Sequence, residues 1–183
     1  MELYIYNRDL KLLGIIDTFT SLMWTRRYHK AGKFELHCAL DSKSLRLLKR
    51  GNVIYKNDGE AGYIETRQLA TDGTGKETLV VSGKFLAGYL GQRINWNRVN
   101  FNGKTEKLMR QLVNDNAINS SNPDRVIANL MLGDLQGFDD TIKYQNSYGD
   151  VLNCLEKVSN TSNIGYMTRL DIMDKNIIFE TYK

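Results

Sequence analysis

Only two histidines occur in the 183 residues, His29 and His37, and with Glu35 they form the one grouping that suggests a metal centre. Neutral imidazoles and a carboxylate are zinc or iron ligands, and Glu35 and His37 share a strand face at a spacing of two. No further ligand follows at a convincing spacing, so the sequence favours structural roles for all three. The string Gly73-Thr74-Gly75-Lys76-Glu77 has the glycines and lysine with which backbone amides and an ammonium cradle phosphate. Aligned on Gly75-Lys76, however, the first glycine of a phosphate loop falls on Ala70 and its magnesium-binding hydroxyl on Glu77. Both chemistries are missing, and a hairpin turn is the better reading. Asp139 with Asp140, and Asp171 with Asp174, are carboxylate pairs of the type that flank a glycosidic bond. Among 21 acidic residues such pairs arise by composition, and these fall in an expected loop and an expected turn. Cys38 is expected to point inward beside Phe34 and Leu36 as an inert thiol. No nucleophile, histidine and acid combine, so no catalytic, cofactor-binding or metal residue is assigned, and no cofactor.

Recognition is the other chemistry on offer. Leu22-Met23-Trp24-Thr25-Arg26-Arg27-Tyr28 and Phe34-Glu35-Leu36-His37-Cys38-Ala39-Leu40 are alternating runs hinged on a basic turn, and they predict a β-hairpin. Leu22, Trp24 and Tyr28 share one face before the turn, and Phe34, Leu36, Cys38 and Leu40 share one after it. Arg26, Arg27, Lys30 and Lys33 cluster at the connection, where they form either a binding tip or a solvated loop. Residues 1–56 carry 11 basic against 5 acidic side chains, a balance of +6 that leaves −2 for the remainder of a +4 chain. Such a bias suits nucleic acid or an acidic partner surface, and equally a wet rim. Ten tyrosines and two tryptophans keep single-stranded nucleic acid open as a ligand, because stacking faces and cations are what it needs. The aromatics are spread over every element, however, which suits core and interface use as well and makes direct nucleic-acid binding the weaker reading.

Elements that position these residues follow from spacing. With 42% hydrophobic and 25% charged residues and a single proline, the composition is that of an ordered globular chain. It needs no metal or disulfide staple, and Cys38 and Cys154 fit a reducing place of synthesis. No apolar run approaches a membrane span. The sequons at Asn119 and Asn160 are chance matches. Leu3 to Tyr6 and Leu10 to Ile16 predict a first hairpin around Asn7-Arg8-Asp9. Asp41 or Ser42 caps a short helix with Leu45, Leu47 and Leu48 inward, ended by Gly51. Val53 to Tyr55, Ala61 to Thr71 and Glu77 to Gly83 are further strands, turned by Asn57-Asp58-Gly59 and by Asp72-Gly73-Thr74-Gly75. Phe85, Leu86, Tyr89 and Leu90 form a helical turn that plugs one end of the resulting small barrel or curled sheet, with Tyr89 in its core.

Beyond Asn95 the spacing changes. A helix begins at Asn102 or Gly103, buries Leu108, Met109, Leu112 and Val113, and stops in Asn114-Asp115-Asn116. Residues 117–140 read as a structured loop with short turns. Ser147-Tyr148-Gly149-Asp150 predicts a capping box ahead of a second helix with Val151, Cys154, Leu155 and Val158 inward. A terminal hairpin, Ile164 to Ile172 and Asn176 to Tyr182, turns at Asp174-Lys175. The fold class is α+β. A β-barrel-like hub domain with short helices occupies residues 1–100, and a smaller α+β domain occupies 101–183, expected to continue into a C-terminal β-domain after Lys183.

Trp24-Thr25-Arg26-Arg27-Tyr28 followed by Ala31-Gly32-Lys33-Phe34-Glu35-Leu36 resembles the N-terminal signature of the tail-hub, or baseplate-hub, proteins of siphophages and prophages. The likeness continues through Val81-Ser82-Gly83-Lys84 with Leu90 and Arg93, Ser147-Tyr148-Gly149-Asp150-Val151-Leu152, Gly165-Tyr166 and Ile178-Phe179-Glu180-Thr181-Tyr182. This resemblance implies a structural protein without catalysis: β-barrel domains with an α/β insertion, assembled as a trimeric ring in the virion tail. The ring would join the tail tube and its distal, tape-measure or fibre partners, and gate DNA passage. On this reading Arg26, Arg27, Lys30 and Lys33 are subunit or partner contacts, while Trp24 and Phe34 set the hairpin. Synthesis would take place in the bacterial host cytoplasm, with no membrane partner. The alternative is a basic β-barrel module that binds single-stranded nucleic acid. A cell-wall hydrolase is a third class, for which the sequence nominates no catalytic residue.

Overall fold

Alternating apolar and polar residues build the N-terminal part from strands. The computed structural model describes residues 1–71, 75 and 77–183. Most of the glycine-rich connection at 72–75, and with it the phosphate-loop-like string 73–77, lies outside the described residues. The chain divides into two compact units. One comprises Met1–Arg26 with Gly32–Leu86, the other Arg27–Ala31 with Ala87–Lys183.

The first unit is a seven-stranded antiparallel sheet: β1 (Leu3–Tyr6), β2 (Leu12–Ile16), β3 (Ser21–Thr25), β4 (Lys33–Ala39), β5 (Val53–Tyr55), β6 (Ala61–Thr71) and β7 (Glu77–Phe85), with one helix, α1 (Ser42–Leu47). The spatial order is β2-β1-β5-β6-β7-β4-β3. No ladder joins β2 to β3 among the described residues, so the barrel-like domain of the sequence reading is an open sheet. Seven strands span about 29 Å at the usual spacing, whereas six helical residues are only about 9 Å long. The helix cannot cover that face. Leu3, Ile5, Ile16, Phe34, Leu36, Cys38, Ile54, Ile64, Leu79, Val81 and Phe85 bury one another beside Leu47 and Leu48, as a curled sheet allows.

Two details of this unit depart from the spacing rules. Asp41 caps α1 by accepting the Ser44 amide, at 2.7 Å, while the Ser44 hydroxyl accepts the Asp41 amide at 3.1 Å and itself donates to the Ala39 carbonyl. That reciprocal cap turns Ser44, Leu47 and Leu48 inward and leaves Leu45 exposed. Phe85 belongs to β7 and not to the following turn, Leu86–Gln92, a 3-10 segment in which Leu86, Ala87 and Leu90 are buried and Tyr89 is half-buried. From Ala87 onward that segment belongs with the second unit.

The second unit contains β8 (Val99–Lys104), α2 (Thr105–Val113), β9 (Leu130–Leu132), β10 (Thr141–Asn146), α3 (Val151–Ser162), β11 (Gly165–Asp171) and β12 (Asn176–Tyr182). β8 pairs with β10 in a two-stranded sheet, and β11-β12-β9 form a three-stranded sheet in which β9 runs parallel to β12. The terminal hairpin is in register from Gly165↔Tyr182 to Asp171↔Asn176. Leu108, Met109, Leu112 and Val113 are buried on α2, and Val151, Cys154, Leu155 and Val158 on α3. Asp150 caps α3 through the Asn153 amide.

α2 starts two or three residues later than its spacing predicts, because Val99–Lys104 is extended against β10. It also runs on through a wider turn, Asn114–Ile118. The asparagine run fails to stop it because Asn116 is buried, donating to the Leu112 carbonyl at 3.0 Å and accepting from the Trp96 amide. Among the described residues no helix is long and apolar enough to cross a membrane.

Candidate partner interface

β3 and β4 pair with Trp24 opposite Phe34 and Thr25 opposite Lys33. The Trp24 ring lies 5.6 Å from Phe34 and 4.6 Å from Phe85, centroid to centroid, with the Lys56 ammonium 5.6 Å over its face. Gly32 lets these rings close. A Cβ there would stand 2.4 Å from the Phe85 ring and 2.8 Å from the Thr25 carbonyl oxygen, and its own carbonyl accepts the Phe85 amide at 2.9 Å. Both aromatics expected to set the hairpin therefore do so, Phe34 fully buried and Trp24 half-buried.

The four cations at the connection have different surroundings. Arg26 ends β3 with a fork: Nη2 to Asp58 Oδ2 at 2.7 Å and Nε to Glu60 Oε2 at 2.5 Å. Lys56 shares Asp58 at 2.8 Å. Burial pushes the Glu60 carboxyl above its ordinary range, and Arg26 pulls it part of the way back. Lys33 is exposed on β4, and among the described residues no carboxylate pairs with it.

Residues 27–31 take their contacts from the second unit. Tyr28 lies beyond the end of β3, so it does not share the strand face of Leu22 and Trp24. Its hydroxyl donates to the Asn163 carbonyl at 3.0 Å, and its ring meets Tyr182 edge-on at 5.1 Å. Asn163 is in the left-handed region, at φ 54°, where it ends α3 and turns that carbonyl outward. His29 Nδ1 bonds the buried Ser159 hydroxyl at 2.8 Å, and Lys30 stands 3.7 Å from Glu156. Arg27 is exposed and, among the described residues, has no carboxylate partner.

The other chemistry-bearing residues are occupied elsewhere. His37 bonds Glu35 at 2.7 Å, His29 has Ser159, and no group of three potential metal ligands occurs among the described residues. Cys38 is buried, which pushes its thiol up and away from reactivity. Asp139 is paired with Lys104 at 2.8 Å and Asp140 with Lys183, while Asp171 accepts the Met173 and Asp174 amides of its turn.

Glu106 went unread in the sequence. Its side chain is 1% exposed and accepts the Gln136 amide at 2.7 Å, the Gly137 amide at 2.8 Å and the Thr181 hydroxyl at 2.9 Å. Burial alone would raise its pKa, but the Gln136, Thr181 and Gly137 donors outweigh it and hold the carboxyl below the usual range. Glu106 therefore ties α2, β12 and the residues before β10 together. It lies three residues before Met109, on the buried face of α2, but a carboxylate does not register in an apolar stripe.

Comparison with known proteins follows from this fold. Residues 2–183 match the sequence profile of the family described as Siphovirus ReqiPepy6 Gp37-like protein. No curated protein matches significantly. Prophage tail protein gp18 from Listeria monocytogenes EGD-e is similar with a TM-score of 0.62 and 11% identity, over 98% of this chain and 50% of that one. A tail protein from Neisseria meningitidis MC58 gives 0.58 and 13%, over 97% and 49%. The Escherichia coli c3393 protein, a type VI secretion component described as structurally similar to T4 bacteriophage tail proteins gp27 and gp5, gives 0.55 and 8%, over 90% and 45%. At such identities the likeness is one of fold, and the chain spans about half the length of these structures.

Proposed function

The chain belongs to the Siphovirus ReqiPepy6 Gp37-like protein family, and from this, with its likeness in fold to tail proteins, we propose that it is a structural component of the tail tip or baseplate hub of a phage or prophage. In that role it forms part of a three-fold ring that joins the tail tube to the fibre or tip and gates the passage of DNA. It works as a structural part and not as an enzyme. The observation that carries this reading is the alignment of nearly the whole chain with tail proteins of known structure, one of them from a prophage, together with a family match over residues 2–183.

Physical features of the first unit support assembly. β2 and β3 each have one ladder partner among the described residues and leave the other edge open. Open edges are a hazard for an isolated protein and an asset for one that assembles head to tail. Arg26, Arg27, Lys30 and Lys33 then serve contacts with neighbouring subunits or with distal, tape-measure or fibre proteins. Arg27 and Lys33 carry most of this on present geometry, because Arg26 and Lys30 already have carboxylates within the chain.

The test is immunogold electron microscopy of tails from the producing phage or induced prophage, using antibody raised against this chain. Label confined to the distal end of the tail supports the proposal. Label along the tube, at the head, or on no particle overturns it.

A further inference from the structure

Tyr148 is a large aromatic in a backbone conformation that favours glycine. Its φ is 57°, its side chain is 70% exposed, and among the described residues no hydrogen bond to its hydroxyl compensates. Its backbone is held there by the extended segment Arg93-Ile94-Asn95, which makes a single bridge to Asp150: the Tyr148 amide donates to the Asn95 carbonyl at 2.9 Å, the Asn95 amide to the Gly149 carbonyl at 2.7 Å, and the Val151 amide to the Arg93 carbonyl at 2.9 Å. The neighbouring glycine does not relieve this. Gly149 is required for space, since a Cβ there would stand 2.5 Å from the Asn146 side chain and 3.0 Å from the Cys154 sulfur. Glycine at 148 would be unstrained, yet a tyrosine is presented there to solvent.

What stands beside it makes a patch. Trp96, 56% exposed, meets Tyr148 edge-on at 6.3 Å, and the Arg125 guanidinium lies 5.6 Å over the Trp96 ring. Arg125 is fixed by the Ile94 carbonyl, and Arg93 by the carbonyls of Arg125 and Gln92. Ile94 and Val126 are exposed at the edge. The two guanidiniums are close enough that the charge of Arg125, added to partial burial, works against protonation of Arg93. Neither has a carboxylate partner among the described residues. The nearby Asp150 uses its side chain to cap α3. Two like charges are thus held close together by backbone carbonyls, with no carboxylate paired to either among the described residues.

We propose that Arg93, Trp96, Arg125 and Tyr148 form a docking surface for an acidic polypeptide segment of a partner protein, its carboxylates on the two guanidiniums and an apolar or aromatic side chain against Trp96 and Tyr148. Charge complementarity selects the occupant: planar guanidiniums match carboxylates bidentately, and Trp, Tyr and Arg are the residues that dominate binding at protein interfaces. Single-stranded nucleic acid fits less well. One face of Trp96 is already covered by Arg125, and the rings stand at 87° to each other, which offers no run of parallel stacking platforms. The inference rests on this patch and not on the tail assignment.

The test is a fluorescence-anisotropy titration of the full chain with a labelled random copolymer of glutamate and tyrosine, against polyglutamine-tyrosine and a dT20 oligonucleotide, at two salt concentrations. Saturable binding of the glutamate copolymer is expected, weakened at least tenfold by Arg93→Gln with Arg125→Gln and by raised salt. Because those arginines also brace backbone, Tyr148→Gly is the second variant: it removes strain, keeps the fold, and is expected to lose binding by about fivefold or more. Three results overturn the proposal: no saturable binding of the acidic copolymer, unchanged affinity in Tyr148→Gly, or tighter binding of dT20 than of the copolymer.

Discussion

Replacing Glu106 by glutamine tests how far one buried carboxylate holds the second unit together. Oε1 accepts two donors, the Gln136 amide and the Thr181 hydroxyl, and Oε2 accepts the Gly137 amide. An amide side chain keeps one oxygen and sets an NH2 group against a donor. One charge-assisted bond is lost outright and the others weaken, at about 1.5–3 kcal/mol for a bond to a charged group. A loss of about 2–3 kcal/mol is expected at pH 7, which for a chain of this size lowers Tm by roughly 4–12 °C. The charge gives the effect a pH signature. The folded pKa lies below the unfolded value of about 4.3, so this stabilisation is complete above the unfolded value and is lost as pH falls through the folded one. Urea denaturation of wild type and Glu106→Gln, followed by circular dichroism from pH 7 to pH 3, reads both. The gap should be full at pH 7 and narrow between pH 5 and pH 3, and the Gln136 and Gly137 amides should exchange faster in the variant. Equal stability at pH 7, or a gap that does not change with pH, would refute the reasoning.

Three other outcomes are expected. Gly32→Ala should cost about 1–3 kcal/mol by driving a methyl into the Phe85 ring and the Thr25 carbonyl, with a changed near-ultraviolet signal from Trp24; an unchanged Tm counts against the close approach. Arg26→Ala leaves the buried Glu60 without its fork, and solvent screening at an exposed arginine limits the loss to about 1 kcal/mol at pH 7. Because burial raises the folded pKa of Glu60 above the ordinary carboxylate value of about 4.3, the loss should be full at neutral pH and fade as pH falls through that raised value, where Glu60 becomes protonated in both proteins; a loss that is larger in acid contradicts the assignment. Arg27→Glu with Lys33→Glu touches no carboxylate and should shift stability by under about 0.5 kcal/mol while reducing incorporation into tails, measured by quantitative blotting of purified particles; unchanged incorporation argues against both as contacts.

Strand alternation was enough to read the sheet of the first unit, because each strand's inward residues answer to one shared core and the period of two leaves little freedom. Phe34, Leu36 and Cys38 are the plain case. The terminal hairpin and α3 were legible for the same reason, with Asn176 to Tyr182 opposite Gly165 to Asp171 and a helical stripe at Val151, Cys154, Leu155 and Val158. What escaped depends on partners distant in sequence. Tyr28 leaves the strand to bond Asn163, 135 residues away. β9 is three residues long and exists only through its parallel pairing with β12. Asn116 continues a helix it would be expected to end, since burial gave its amide a partner. Leu45 was misplaced because a capping geometry, and not apolar periodicity, sets the phase of a six-residue helix. At the candidate interface the sequence showed four cations in a row, and it could not show that Asp58, Glu60 and Glu156 had already claimed two of them. The Arg93, Trp96, Arg125 and Tyr148 patch was not legible as a cluster, since three separate segments supply it and only the fold leaves its two arginines without a carboxylate among the described residues.

Cryo-electron microscopy of the intact tail tip tests the central claim most directly. The account predicts that this fold fits the density at the distal end of the tube, in three copies around the tail axis. A distal ring into which the chain does not fit, or density for it only among the repeating rings of the tube, would contradict it.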